Sequence, residues 1–336
     1  MNFRNLFLLV LILAAGLSSC ENEFDLVAPG AEPIPVVYGL IDRNDTAHYI
    51  RVEKAFVDQT TDPLQLAQDP TNLYYDDLSV QIQRTGSQTA TYTLDRVDGN
   101  LEGYVREEGI FSNTPNYLYK LKLPSSQKFQ SGDELTLVLS TGELDEDVTA
   151  TAKVLGDFTI TAPSQNFNYG WAPESTYTLR WNDPADLSYA FDINLTIHYE
   201  EKVGSEPFVD RSFIWQVAKG YTPDLSSSTR KYEGDGLAFY QALVDNISES
   251  TNEIRRFKNF DVEIKGVGEA LFDYITIGQV NTGITSAQII PTYSNLSLGR
   301  GIFSSKVETV QKSYTISSNT REFLEEYPLV VPLNFQ

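Results

Sequence analysis

The side chains available for chemistry are few in kind. The 336-residue chain holds 46 Asp and Glu against 25 Lys and Arg, with two His, one Cys and one Met. A single Cys rules out an intrachain disulfide framework, a Cys-based zinc site and an iron–sulfur cluster. His48 stands beside Tyr49 in a hairpin strand, and His198 shares a strand face with Asn194 and Thr196. Neither has a Ser nucleophile in a motif around it, as a triad would need. Both are expected at the surface or at a sheet edge. Paired carboxylates hydrolyse glycosides or bind calcium. The acidic clusters are Asp76-Asp77, the ELDED run at 143–147, and Glu233 with Asp235. None places ligands at the alternate positions of a calcium loop, so they read as solvated turns, with ELDED the first place to look for calcium. HExxH, GxSxG, Walker and GxGxxG patterns are absent. Gly299-Arg300-Gly301 lacks the Lys-Ser/Thr of a phosphate loop and reads as a tight turn before a strand at 302–307. The expectation is a chain that is not an enzyme and holds no cofactor and no metal.

The aromatic residues are more suggestive. Tyr74, Tyr75, Phe167, Tyr169 and Trp171 fall in segments without strand periodicity. In loops such rings stack on sugars or dock a protein partner. Tyr74, Tyr75, Tyr169 and Trp171 are therefore candidate glycan or partner contacts, the alternative being that they cover a sandwich end or an interdomain contact. The formal charge of −21 argues against nucleic acid, whose phosphates need Lys and Arg.

Short alternating strands must position these residues. Residues 35–41 and 49–56 form a hairpin around the polar turn at 42–45. Leu78, Val80 and Ile82 alternate, as do Tyr117, Tyr119, Leu121 and Leu123, and Leu135, Leu137 and Leu139. The clearest strand is 189–200, where Tyr189, Phe191, Ile193, Leu195 and Ile197 share a face. Trp181, just before it, is expected to fill a core between sheets, an arrangement that resembles fibronectin type III modules. Helices are expected at 64–68, from Gly236 to about Ile247 behind Asp235, and over 319–326 behind Asn319, while 269–278 fits helix or strand, with a helix from Glu269 favoured. The fold class is mainly β with some α: an immunoglobulin-like β-sandwich at 35–158, a fibronectin-III-like, β-rich α+β domain at 159–312, and a C-terminal tail with a short helix at 313–336.

The first residues carry an address. One cation, Arg4, precedes a twelve-residue apolar run at 6–17, too short to span a bilayer and suited to a signal peptide at 1–19. Leu17-Ser18-Ser19-Cys20 resembles the lipobox of bacterial lipoproteins, which implies acylation of Cys20 and an anchored tether at 20–34. Acylation anchors firmly, since each buried methylene adds about 0.8 kcal/mol. Glu21, Glu23 and Asp25 resemble the acidic sorting signal that displays Bacteroidota lipoproteins outward. Asp45-Thr46-Ala47 resembles the O-glycosylation acceptor of the same group, which makes Thr46 a candidate.

The stretches PIPVVYGLID (33–42), IRVEKAF (50–56), RWNDPADLSYAFDINLTIHYEE (180–201) and YSNLSLGRGIFSSK (293–306) together resemble uncharacterised surface lipoproteins of the Bacteroidota outer membrane. That resemblance implies a lipid-anchored protein facing the cell exterior. It also implies a binding, assembly or accessory subunit, with a TonB-dependent transporter or another outer-membrane barrel as partner. No active-site residue comes with it. A glycan-binding or carbohydrate-active protein, and an adhesin or pilus-type component, stay open beside it.

Overall fold

The computed structural model describes residues 33–55, 62–280 and 292–336. Cys20, Glu21, Glu23 and Asp25, the signal segment and nearly all of the tether lie outside the described residues.

The chain is mainly β with some α, and its sheets form a sandwich-like arrangement. In the first half the strands are β1 (Ile34–Asp42), β2 (Ala47–Ala55), β3 (Leu78–Thr85), β4 (Ala90–Thr93), β5 (Asp95–Asp98), β6 (Tyr117–Lys122), β7 (Glu134–Thr141) and β8 (Val148–Lys153). Then come β9 (Thr159–Ala162), β10 (Thr176–Asn182), β11 (Ala190–Val203), β12 (Val209–Tyr221), β13 (Thr229–Asp235), β14 (Glu253–Val267) and β15 (Arg300–Tyr314). Helices α1 (Pro63–Gln68), α2 (Pro70–Leu73), α3 (Leu237–Asn246), α4 (Glu269–Val280) and α5 (Ser318–Glu326) sit between or after them.

One eight-stranded sheet runs through the molecule in the order β12-β11-β14-β15-β1-β2-β6-β5. A four-stranded sheet, β4-β3-β7-β8, and a three-stranded sheet, β13-β10-β9, pack on it. Both cover the same face. In β15, Phe303 points into one core and Val307, four residues on and hence on the same side of the strand, points into the other. The first core is largely aliphatic, built from Val37, Ile41, Ile50, Val80, Leu135 and Leu137 among others. The second is aromatic: Trp171, Trp181, Phe191, Phe239, Tyr240, Phe260 and Tyr314. Strand β11 shows the period-2 rule plainly, burying Phe191, Ile193, Leu195 and Ile197 and turning Asn194, Thr196 and His198 the other way. Each such burial stabilises by roughly 1.5–3 kcal/mol.

The linear division at 158/159 needs correction. The cores part between Val154 and Leu155, but β15 pairs in parallel with β1, Gly39 opposite Phe303. Leu296 and Phe303 therefore pack in the first core from the far end of the chain. The glycines at 299 and 301 make this approach feasible: Gly301 has φ +104°, and a Cβ there would stand 1.9 Å from the Val37 carbonyl oxygen. The C-terminal segment is likewise no tail. Tyr314, Ile316, Leu324, Val330, Leu333 and Phe335 are all buried in the second core. Helix α5 is capped by Ser317, whose Oγ accepts from the Thr320 amide, and not by Asn319.

Candidate docking surface

Of the four aromatic candidates, Tyr74, Tyr75 and Trp171 are buried and Tyr169 is half-buried against the second core. Tyr74 donates its hydroxyl to the Pro115 carbonyl at 3.1 Å and meets Tyr117 edge-on at 5.0 Å. Tyr75 is 1% exposed and donates to the Pro33 carbonyl at 3.4 Å. Burial pushes both phenol pKa values up. Trp171 has no exposed surface and stacks on Phe239 at 4.3 Å, while Tyr169 lies edge-on to it at 5.0 Å and donates to the Thr178 carbonyl at 2.6 Å. The contact role expected of Tyr74, Tyr75, Tyr169 and Trp171 is therefore corrected: the rings fill core and the hydroxyls satisfy backbone carbonyls.

The histidines and carboxylates also find structural places. His48, expected at the surface, is buried against Phe129 at 5.0 Å, with both ring nitrogens unpartnered among the described residues. Desolvation lowers its pKa to about 4, so the ring is neutral. His198 is half-buried, its Nε2 3.1 Å from Asp261, whose other oxygen accepts from the Ser313 amide at 2.9 Å. Glu143 of the ELDED run accepts from Lys54 at 2.9 Å and from the Asp76 amide at 3.1 Å. Asp235 accepts from the Leu237 amide at 3.0 Å and so serves the start of α3. Thr46 is exposed in the β1–β2 turn.

A cleft of about 430 Å³ lies where β8, β15 and α4 meet, lined in part by Glu134, Lys153, Asp186, Glu269 and Ser305. Two of its polar groups serve the fold: Asp186 pairs with Arg230, and Ser305 donates to the Lys153 carbonyl. The thirteen-residue edge strand β12 is a second candidate surface. It carries Asp210, Arg211, Lys219, a left-handed Gly220 and register shifts, the features that keep edges from pairing.

The feature that stands apart is the loop at 99–116, between β5 and β6. It lies over the outer face of β2 and β6, opposite the first core. Leu118 of β6 is buried beneath it, and Tyr49 of β2 packs on Tyr104 at 4.7 Å. A polar hub fixes its base. The fully buried Asn116 donates to the Tyr104 carbonyl at 2.7 Å and accepts from Arg51 at 2.8 Å. Asn100 donates to the Asn113 carbonyl at 2.8 Å and accepts from the Arg106 amide at 3.0 Å. Arg106 in turn pairs with Glu53 on β2. Glu102 accepts from Lys120 and Tyr49, and these bonds hold its carboxyl below the usual range. Helix α1, capped by Asp62, borders the loop: the Ser112 amide donates to the Ala67 carbonyl at 2.9 Å.

The anchors tie the loop to β2, β6 and α1 through polar groups, and its apolar side chains stay exposed. Leu101 is 87% exposed, Val105 71%, Ile110 58%, Tyr104 51% and Phe111 47%, and α1 adds Leu64 at 57%. Scattered exposed apolar residues are ordinary, but six of them on one loop and the helix bordering it mark a candidate interaction surface. The loop thus presents an apolar surface to solvent, with the carboxylates of Glu107 and Glu108 exposed beside it.

No family model and no curated protein matches the chain. Among solved structures, the chain is similar to "Crystal structure of CBD12 from CALX1.2", at 9% identity over 84% of this chain and 99% of that one, with a TM-score of 0.18. It is also similar to "Crystal structure of calcium binding domain CBD12 of CALX1.1", at 9% identity over 81% and 98%, with a TM-score of 0.19. At these scores the likeness carries no argument about site or activity.

Sequence reasoning passed over this surface because LEGYVREEGIF (101–111) has neither strand nor helix period. The signal that marks it is five large apolar residues in eleven without a period that would bury them.

Proposed function

We propose that the protein is a non-catalytic, surface-exposed outer-membrane lipoprotein, anchored through Cys20 and sorted outward by Glu21, Glu23 and Asp25. It acts as a binding or assembly subunit, an accessory of a TonB-dependent transport system by resemblance. Thr46, exposed at a hairpin turn, is its candidate O-glycosylation site. The observation that carries the reading is the apolar surface of the 99–116 loop, displayed on a hydrogen-bonded base and not buried. The place of the anchor supports it. Pro33, where the described chain begins, touches Tyr75, and the preceding residue, Tyr74, touches Pro115 at the end of the loop. The thirteen steps from Cys20 to Pro33 extend at most about 45 Å, which keeps the surface close to membrane partners.

The test is fractionation of cells carrying the full-length protein and its Cys20→Ala variant. The native chain is expected in the membrane fraction and open to protease added to intact cells, and the variant is expected in the soluble fraction. Membrane retention of the variant, or full protection of the native chain, would contradict the reading.

A further inference from the structure

We infer that the 99–116 surface is occupied by a partner protein presenting an apolar recess rimmed by Lys or Arg side chains. This deepens the assembly reading and rests on it. Three observations decide among occupants. The first is charge. Glu107 and Glu108 are exposed beside Val105 and Ile110 and enter no ion pair among the described residues. Of the cations nearby, Arg106 is engaged by Glu53 and Lys120 by Glu102, and the exposed Lys122, whose charge acts on Glu102, is outnumbered by Glu107 and Glu108. The free charge of the surface is thus negative. An anionic lipid headgroup layer would be repelled, and a basic rim would be attracted.

The second is symmetry. Two copies meeting through this patch would face it onto itself, which sets Glu107 and Glu108 of each copy against those of the other. Like charges across an interface disfavour that pairing. The third is preorganisation. Asn100, Asn116 and Arg106 fix the loop before binding, so little ordering cost is left for association. Tyr104 and Phe111 supply the aromatic anchors around which protein interfaces concentrate their affinity.

The test places a photo-crosslinking amino acid at Val105 of the full-length protein in intact cells, with a second probe at Ile214 on the β12 edge. The expected result is a protein adduct at Val105 whose linked peptide is apolar and flanked by Lys or Arg. The paired substitution Glu107→Lys and Glu108→Lys should cut its yield about tenfold, as the loss of two attractive charges would. Membrane retention and melting temperature should not change. A lipid adduct, an adduct of the chain with itself, a yield indifferent to the charge reversal, or no adduct at Val105 would overturn the inference. A protein captured at Ile214 but not at Val105 would leave the assembly reading standing and remove this surface. No protein at either position would remove both.

Discussion

Two aperiodic segments rich in aromatic residues place their rings differently. Around 163–175, Trp171 is sealed in the second core and Tyr169 packs against it, while Phe167 stays 75% exposed. Around 99–116, Tyr104 and Phe111 stand in solvent. The difference lies in where each backbone is tied. The Trp171 carbonyl accepts from Tyr240 at 2.6 Å and from Thr320 at 3.2 Å, and its amide donates to Thr320 at 2.9 Å. These partners sit on α3 and α5, so the segment is drawn between helices and sheet. The 99–116 loop is tied instead to polar groups on the outer face of β2 and at its own base, which leaves the apolar side chains nowhere inward to go. Residue type does not decide the exposure of an aperiodic segment; the position of its hydrogen-bond partners does.

The largest expected effect comes from breaking the buried segment. Trp171→Ala should cost about 3–5 kcal/mol, read as a lower urea midpoint, while capture at Val105 in the still-folded variant is unaffected. A cost below about 1 kcal/mol would mean that Trp171 is not the centre of the second core. Next, the two cores should differ in acid. The buried His48 ring has its pKa lowered to about 4 from an ordinary value of 6.5. The unfolded chain therefore binds a proton that the folded one refuses. Stability falls as pH drops from about 6.5 towards 4, by about 3 kcal/mol at the lower end, and nothing is lost above that range. His48→Leu should flatten this slope in denaturant melts between pH 4 and 7, and an unchanged slope would place the acid sensitivity elsewhere.

Asn116→Ala, which removes the hub of the exposed loop, should cost about 1–3 kcal/mol by orphaning the Tyr104 carbonyl and leaving Arg51 with Glu53 alone. It should also loosen the loop, seen as faster amide exchange at 100–106. Smallest of all, Leu101→Ser with Val105→Ser should change stability by less than about 0.5 kcal/mol per substitution, as exposed sites do. A large loss of stability there would mean that these side chains support the fold and are not free for a partner.

Much of the fold was legible because strands bury alternate residues. The hairpin at 34–55, strand β11 and the buried Trp181 follow from local pattern, as does α3, whose apolar residues recur at helical spacing, whereas the run at 269–278 fits helix or strand by pattern and folds as α4. The shared sheet was not legible. Pairing of β1 with β15 joins residues more than 260 positions apart, and no local period encodes a partner at that distance. The C-terminal helix was found near its place, but not the burial of Val330, Leu333 and Phe335 behind it, since a short aperiodic run gives no sign of which core it covers. Of the candidate site, only the idea of aromatic loops survives. Its members changed, because Tyr74, Tyr75 and Trp171 have hydrogen-bond partners that draw them inward and the sequence does not name those partners.

The most direct test of the account is the size of the complex that the full-length, membrane-anchored protein forms when released in mild detergent. The native chain is compared with a variant carrying Leu101→Ser, Val105→Ser and Phe111→Ser. The account predicts that the native protein elutes as part of a larger assembly, and that the variant, equally retained in membranes beforehand, elutes as a single chain. A variant that elutes with the native assembly would contradict the claim that the 99–116 loop is the docking surface.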